Sequence, residues 1–361
     1  MRRRRSPRVH QLLSGAGPYD AITTQARAWR DLLAGWGWAG DLWAAARDPA
    51  IGGAVHDARG MARRVGAGDV LILHYSAHAP ALEEALELPA RKLLVYHNIT
   101  PPEYLWEHEP HVALACALGR ERLAAFAGRV DAALAPTEFS AADLRAAGFA
   151  DVEVAPALYL IDRDRLAARA PAGAGAAVAD GGPTILFVGR LSHNKRQDRV
   201  LKAFALYQRH RAPAARLVLA GSAGSGTYGD YLRRLAAAAE VRDVTLTGPL
   251  SQPRLNALYA GAAAFVCLSE HEGFCLPVLE ALHFGLPVVA ARAGAVPEVA
   301  GDAAVLLDDR DLATVAEAID LCVRDEPLRE ELRRRGQRRL RDFEPQRTAE
   351  TVRAAVAPLL A

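Results

Sequence analysis

The sequence predicts an α/β fold with two doubly wound, Rossmann-like domains in tandem, and three observations lead to this interpretation. Strongly apolar runs of about five or six residues alternate with longer helical patterns along the whole chain. Runs this apolar fit strands that are buried on both faces of a parallel sheet. The chain has 361 residues, too many for one compact core. Residues 169–183, "RAPAGAGAAVADGGP", are almost entirely Ala, Gly and Pro, a composition typical of an interdomain linker.

Five strands are predicted in each half of the chain. In the first half they are 8–13, 69–74, 92–97, 131–136 and 152–157, and in the second half 184–189, 216–221, 244–248, 264–269 and 287–291. The predicted domains are therefore an N-terminal domain over 1–168, the linker over 169–183 and a C-terminal domain over 184–340. A C-terminal helix over 341–361 is placed so that it can return to the N-terminal domain.

Composition restricts the class of protein. The formal net charge is +2, and the only dense basic block, Arg2–Arg5, is best interpreted as a solvated terminus, so no nucleic-acid partner is expected. The four cysteines form no C-x-x-C pair, which favours a reducing, cytoplasmic setting. No signal-peptide pattern is present, and the longest apolar run is shorter than the roughly 18 residues of a membrane span.

Polar residues follow the predicted strands, and ligands of open parallel sheets bind beyond the carboxyl ends of the strands. In "SEHEGFCLPVLEA" (269–281), Pro277 fits the first position of a helix and Gly285 the position after its end. Leu276 cannot cap the free N–H groups of this helix, so its start is a candidate anion site. Glu280 lies one turn inside the helix, where its carboxylate suits ribose hydroxyls. Glu272 lies in the preceding loop.

Two cations lie beside this predicted anion site. In "FVGRLSHNKRQD" (187–198), Arg190 directly follows a strand and Lys195 lies at the start of the next helix. A guanidinium and an ammonium at one strand edge suit a diphosphate.

These segments, with "LAGSAGSG" and "VTLTGPLS", resemble the retaining, nucleotide-sugar-dependent glycosyltransferases of the GT-B fold (family 4-like, with an E-x7-E motif), over the whole second half. The resemblance implies that Arg190 and Lys195 hold the donor diphosphate, that Glu280 binds the ribose and that Glu272 lies near the sugar. It also implies a donor-binding set comprising Gly221, Gly248, Leu250, Phe274, Cys275, Leu276 and Pro277. Cys275 stands where the family often has Gly and is interpreted as a small residue, not a nucleophile.

The first half resembles the family more loosely. "LVYHNITPPEY" resembles the strand whose final His reaches the donor sugar, which implies a catalytic role for His97 together with Glu272, Arg190 and Lys195. "LILHYS" resembles the neighbouring strand end, which implies that His74, Tyr75 and Asn98 lie on the acceptor side. "GAGPYDAIT" replaces the family's Gly-Gly loop. Gly17 and Asp20 are its candidate donor contacts, with capping of the following helix as the alternative for Asp20.

Several other interpretations are less well supported. "GSAGSG" (221–226) lacks the spacing of a dinucleotide site, so no cofactor is expected. "DRD" at 162–164 and 309–311 lies beside linker or loop segments and not at the strand ends that carry the motifs, and "HEPH" at 108–111 lacks further ligands at a useful spacing, so no metal is expected. The tryptophans clustered at positions 29, 36, 38 and 43 and the basic helix 328–343 are interpreted as packing and solvated faces. With a lipid-linked acceptor, either could instead support peripheral association with the inner face of the membrane.

The sequence therefore predicts a metal-independent glycosyltransferase that moves a hexose, such as mannose or glucose, from a nucleoside diphosphate sugar to a glycan or lipid-linked hydroxyl. Polysaccharide biosynthesis in the cytoplasm is the expected setting. Two alternatives remain open: a nucleotide-sugar epimerase of the same fold and a non-catalytic protein that binds sugar nucleotides.

Overall fold

The computed structural model of the chain describes residues 6–157, 181–223, 226–309 and 311–361. The chain forms two compact units. The first spans Met1–Pro102, His111–Ile161 and Glu344–Ala361, and the second spans Glu103–Pro110 and Asp162–Phe343. The assignment of 103–110 to the N-terminal domain is thus wrong. Of the predicted linker, only 181–183 are described; Arg2–Arg5 and the first "DRD" lie outside the described residues, as does Arg310 of the second.

The first unit contains a seven-stranded parallel sheet in the order β3-β2-β1-β4-β5-β6-β7. Its strands are β1 (Val9–Ala16), β2 (Leu42–Arg47), β3 (His56–Asp57), β4 (Val70–Tyr75), β5 (Arg91–Tyr96), β6 (Ala132–Ala135) and β7 (Val152–Val154). The helices of this half of the chain are α1 (Ala21–Gly35), α2 (Pro80–Glu84), α3 (Pro110–Arg122) and α4 (Glu138–Ala146).

The second unit contains a six-stranded parallel sheet in the order β10-β9-β8-β11-β12-β13. Its strands are β8 (Thr184–Val188), β9 (Arg216–Ala220), β10 (Val244–Leu246), β11 (Ala264–Cys267), β12 (Val288–Ala291) and β13 (Val305–Leu307). Its helices are α5 (Gln197–His210), α6 (Thr227–Ala238), α7 (Gln252–Gly261), α8 (Leu276–His283), α9 (Val296–Ala300), α10 (Leu312–Arg324) and α11 (Glu326–Arg339). Within this unit the order is 3-2-1-4-5-6, the Rossmann arrangement.

All ten predicted strands are present, and their ends agree to within three residues. Three strands were not predicted: β2, β3 and β13. β2 has the sequence "LWAAAR", whose alanines favour a helix, and it becomes a strand because it pairs in register with β1 along Gln11–Ala16. β3 and β13 have only two and three residues. Segments this short carry no period that a sequence can reveal.

The last helix, α12 (Pro345–Val356), belongs to the first unit. Its buried Val352 and Val356 join the core around Val9 and Trp29. Trp43 is also buried, and Trp36 and Trp38 pack against the same core, so the tryptophan cluster serves packing. Among the described residues, no helix is long and apolar enough to cross a membrane.

Candidate active site

The predicted donor residues of the second unit gather where its strand order reverses. β8 and β11 are neighbours at the middle of the sheet. Arg190 and Lys195 follow β8, whereas Glu272 and the start of α8 follow β11. The point of reversal in a doubly wound sheet leaves a crevice at the carboxyl ends of the strands, which is where such sheets bind ligands.

The two loops beyond β8 and β11 are joined by an ion pair. Lys195 Nζ donates to Glu272 Oε2 at 2.5 Å, and both side chains are largely buried. Burial works to lower the pKa of the Lys195 ammonium, but its attraction to the Glu272 carboxylate and the hydrogen bond between them keep the pKa above its ordinary value. Lys195 is therefore a fixed positive charge at this edge.

Asn194, which the sequence analysis did not single out, holds these loops together. Its carbonyl oxygen accepts from the N–H of Glu270 at 2.8 Å, and its Nδ2 donates to the carbonyl oxygen of His271 at 3.2 Å. Asn194 is buried at 3% exposure. Its backbone and side chain thus bond the two residues that precede Glu272, which joins the Glu272 loop to the loop that carries Lys195.

Gly294 supports the same loop from the β12 side. Its φ is +55°, and a Cβ added there would lie 2.6 Å from the carbonyl oxygen of Glu272. The next residue, Ala295, donates its N–H to that carbonyl oxygen at 2.9 Å. Only glycine allows the backbone this close to Glu272.

Helix α8 begins without a side-chain cap, as predicted. It starts at Leu276 rather than Pro277, so Pro277 occupies the second position. Cys275 precedes it with φ +71°, in the left-handed region that favours glycine. This conformation explains why glycine suits this position in the family that the sequence resembles. Gly285 follows the helix at φ +70°, where glycine typically ends one.

The Cys275 thiol lies 3.7 Å from the Cys267 thiol, and both are buried. The hydrogen bond to Cys267 and burial hold the pKa of Cys275 well above its ordinary value. A neutral, buried thiol is a poor nucleophile, in agreement with the interpretation of Cys275 as a small residue.

Two groups among the described residues have ligand atoms close enough to hold a metal ion. The first is Cys267, Glu272 and Cys275. An ion there would have to displace the Lys195 ammonium, which already occupies the Glu272 carboxylate at 2.5 Å. The second comprises Glu107, His108 and His193 at the surface of the second unit. The His108 ring there also packs against the ring of Tyr228, with centroids 5.2 Å apart.

Glu280 is buried at 4% exposure, and Tyr259 holds its carboxylate. The Tyr259 hydroxyl donates to Glu280 Oε2 at 2.7 Å. Tyr259 is itself fully buried and stacks on Phe284 with ring centroids 5.4 Å apart. Tyr259 therefore fixes the position of the Glu280 carboxylate, which the sequence predicts to bind ribose. No pattern in the sequence indicated this role of Tyr259.

Arg190 forms an ion pair that the sequence analysis missed. Its Nη1 donates to Glu109 Oε1 at 2.9 Å, and the Ser192 hydroxyl lies 3.5 Å from Oε2 of the same carboxylate. Glu109 lies in "HEPH", which was considered only as a metal-ligand pattern. The segment Glu103–Pro110 belongs to the second unit, and this is how a residue 81 positions earlier reaches Arg190.

The remaining predicted donor residues line the same sheet edge or pack below it. Gly221 and Gly248 form an antiparallel bridge just beyond β9 and β10. Leu250 is partly exposed in the loop that follows. Phe274 is buried and packs edge-on against Phe343, with centroids 5.8 Å apart, so its side chain serves the core.

In the first unit, His97 follows β5 and is partly exposed. Its Nε2 lies 2.8 Å from His74 Nδ1. The expected acceptor-side contact by His74 and Tyr75 is wrong, because the two residues are 0% and 1% exposed. The Tyr75 hydroxyl donates to the carbonyl oxygen of Gly119 at 2.8 Å. Consecutive strand residues point to opposite faces of the sheet, and both are buried here because both faces of this central strand are covered.

Asn98 and Asp20 have structural roles. Asn98 is 7% exposed, adopts φ +63°, and its Nδ2 lies 3.3 Å from the Ser140 hydroxyl, so its side chain is engaged within the first unit. Asp20 caps α1 by accepting from the Thr23 N–H at 2.7 Å, the alternative that its sequence had left open. The Gly17 N–H donates to the Thr23 hydroxyl at 3.2 Å within the same turn.

Comparison with known proteins identifies the second half of the chain. Residues 174–339 match the family model described as glycosyl transferases group 1. An O-antigen chain mannosyltransferase B of Escherichia coli is 31% identical over 44% of this chain. A D-inositol 3-phosphate glycosyltransferase of Nocardia farcinica is 32% identical over 61% of it. These matches span 41% and 50% of the relatives' own lengths, half of each relative at most.

Solved structures agree with the whole fold at low sequence identity. A sucrose-phosphate synthase of Thermosynechococcus elongatus superposes with a TM-score of 0.74 at 18% identity, over 98% of this chain and 99% of that one. The Anabaena protein HepE, in complex with UDP-glucose, gives 0.67 at 19% identity, over 96% and 99%. The second half of the chain is thus similar to the group 1 glycosyl transferases, and the chain has the GT-B fold of two Rossmann-like domains.

Proposed function

We propose that this protein is a retaining glycosyltransferase that moves a hexose from a nucleoside diphosphate sugar to a hydroxyl of a glycan or lipid-linked acceptor, without a metal ion. The observation that carries the proposal is the arrangement at the β8/β11 edge. Two cations, an uncapped helix start and two buried glutamates converge there within one unit.

Each group suits one part of the donor. Arg190, Lys195 and the first N–H groups of α8 suit the diphosphate, because they supply positive charge at the place where negative charge increases as the phosphate leaves. Glu280 suits the ribose, since a buried carboxylate held by Tyr259 accepts hydrogen bonds from hydroxyls. With two protein cations and a helix start on the diphosphate, a divalent cation is not needed there.

The names of the relatives supply donor candidates. HepE is crystallised with UDP-glucose, and one relative is a mannosyltransferase. UDP-glucose and mannose donors are therefore the first to screen. In the proposed chemistry, the acceptor attacks on the face that the diphosphate leaves, and a phosphate oxygen takes the proton of the acceptor hydroxyl. His97 forms a hydrogen bond with a hydroxyl of the sugar as positive charge develops at the anomeric carbon.

The first experiment screens nucleoside diphosphate sugars by thermal shift. A ligand at 100 times its Kd should add roughly 2.7 kcal/mol to the free energy of unfolding. The best donor is then assayed for release of nucleoside diphosphate with and without candidate acceptors, in EDTA and in magnesium.

Acceptor-dependent turnover that survives EDTA supports the proposal, and product that keeps the anomeric configuration of the donor supports retention. Loss of activity in EDTA that magnesium restores would contradict the metal-independent mechanism. Epimerised sugar formed without any acceptor would instead identify an isomerase. Binding with no turnover under every condition would identify a sugar-nucleotide binding protein.

A sharper test concerns His97. His97→Ala should lower kcat while leaving the Kd of the free nucleoside diphosphate within about twofold, because the nucleotide is assigned to the second unit. A variant that is merely less stable, with turnover per folded molecule intact, would remove His97 from the chemistry. Melting temperature, nucleotide affinity and kcat measured on one preparation separate the two results.

A further inference from the structure

The first unit contains a chain of buried polar side chains that ends at His97 and that the proposed function leaves unexplained. It runs from Gln11 on β1 through His74 on β4 to His97 after β5. Gln11 and His74 are both 0% exposed, whereas His97 is partly exposed. Buried polar groups are almost always hydrogen-bonded, so the donor and the acceptor of each hydrogen bond in this series of three side chains can be deduced.

The direction is set by a backbone carbonyl. Gln11 Nε2 donates to the carbonyl oxygen of Ala26 on α1 at 3.0 Å. A carbonyl oxygen only accepts, so the amide group of Gln11 cannot be reversed without placing two oxygens against each other. Gln11 Oε1 therefore faces His74 Nε2, at 2.8 Å.

An amide oxygen also only accepts, so His74 must carry a proton on Nε2. In a neutral imidazole, Nδ1 is then the acceptor. His74 Nδ1 lies 2.8 Å from His97 Nε2, so His97 donates from Nε2. The two rings stack with centroids 5.1 Å apart, and Trp29 packs edge-on against His74, so the rings have little freedom to turn.

The remaining nitrogen of His97 is thereby defined. With its proton on Nε2, neutral His97 has a lone pair on Nδ1, and this atom has no hydrogen-bond partner within the part of the chain that the structure describes. Burial lowers the pKa of His97 to about 4 and that of His74 well below its ordinary value, so both rings are neutral near pH 7.

We propose that Gln11 and His74 are positioning residues that hold His97 as the Nε2–H tautomer, so that its Nδ1 accepts a hydrogen bond from a hydroxyl group of the donor sugar. This inference rests on the proposed function for its ligand, but the tautomer itself does not. Donor sugars are then distinguished by whether they present a hydrogen-bond donor to Nδ1. An acceptor-only substituent there leaves two lone pairs facing each other.

The tautomers can be measured without any substrate. Long-range ¹⁵N–¹H correlation spectra of the full chain at pH 7.5, with His74→Asn and His97→Asn variants to assign the signals, should show both rings protonated on Nε2 only. A proton on Nδ1 of His97 in the wild-type protein would overturn the proposal, whatever the enzyme's activity.

The second arm is Gln11→Met, which keeps a similar volume and removes the acceptor of the His74 proton. His74 is then free to carry its proton on Nδ1, which would make His97 donate from Nδ1 instead. We expect a changed His97 tautomer, a kcat lowered about tenfold or more, and a nucleoside diphosphate Kd within about twofold of wild type. A changed tautomer with unchanged kcat would refute the positioning role.

The third arm tests the ligand with monodeoxy and monofluoro analogues of the active donor. A fluorine accepts weakly and cannot donate, so at the contacted position the fluoro analogue should be as poor a substrate as the deoxy analogue. If the fluoro analogue retained activity that the deoxy analogue loses, His97 would be a donor and the inference would fail. If the predicted tautomer is found but no nucleotide sugar is turned over, the proposed function and the sugar contact fail while the tautomer assignment stands.

Discussion

Glu109→Gln should tighten the binding of a nucleoside diphosphate. In the free protein the Glu109 carboxylate is paired with Arg190 at 2.9 Å, so the diphosphate must compete for that guanidinium. Gln keeps the size of the side chain and an oxygen that still accepts from Arg190, but removes the charge. The Arg190 side chain is 39% exposed, so the pair contributes roughly 0.2–1 kcal/mol. We therefore expect the Kd to fall about 1.5- to fivefold.

The assay is isothermal titration calorimetry with the nucleoside diphosphate of the active donor at low and moderate salt. Glu107→Gln is the matched control: it changes the net charge equally on the same segment, its side chain is 73% exposed, and its carboxylate lies near His108, whereas Arg190 pairs with Glu109. The gain of Glu109→Gln over this control should shrink as salt screens the charges. Weaker binding by Glu109→Gln would show that the carboxylate orients Arg190 for the diphosphate, and equal affinities of the two variants would show that the pair is irrelevant to binding.

Three further predictions follow from the site. Arg190→Ala should lower kcat more than it lowers donor affinity. Glu280→Ala should weaken donor binding by roughly 1.5–3 kcal/mol. If calorimetry showed normal donor affinity for Glu280→Ala, the assignment of Glu280 to the ribose would be wrong. Gly294→Ala should cost roughly 1–3 kcal/mol of stability and reduce turnover by displacing the Glu272 backbone, and an unchanged urea midpoint would contradict this. The free energy of unfolding should fall as the pH drops from about 6.5 toward 4, because His97 becomes protonated in the unfolded chain but stays neutral in the folded protein. The loss from this residue amounts to roughly 2 kcal/mol at pH 5. In urea titrations, His97→Gln should show a smaller fall over the same pH range.

The sequence indicates the sheets and the donor edge because both depend on local patterns. Apolar runs reveal buried strands, and polar residues directly after them lie at the carboxyl edge of any parallel sheet. Arg190 and Glu272 could be placed near each other in this way. Glu280 could be placed inside a helix from Pro277 and Gly285, with an error of one residue at the start.

The supporting contacts are not predictable in this way, because they join distant segments. Glu109 and Arg190 are separated by 81 positions in the sequence. Tyr259 and Glu280 are separated by 21 positions, with strand β11 between them. His74 was misplaced for a different reason. Its strand end is polar like the others, but its side chain is buried against Trp29, where it contacts His97.

The cations at the proposed donor edge are paired with carboxylates of the protein, and this has a consequence for how a donor would bind. Lys195 is paired with Glu272 and Arg190 with Glu109, at 2.5 and 2.9 Å. If the donor diphosphate binds here, as proposed, it must exchange places with these carboxylates. We then expect the ion pairs that are lost to offset part of the Coulomb energy between the diphosphate and the cations, and so to limit the affinity. When the sugar has left, the product carries more negative charge than the donor and would otherwise be held more tightly. The carboxylates of Glu109 and Glu272 can then pair with Arg190 and Lys195 again, which favours release of the product. Glu109→Gln should accordingly slow release of the nucleoside diphosphate in proportion to the gain in its affinity.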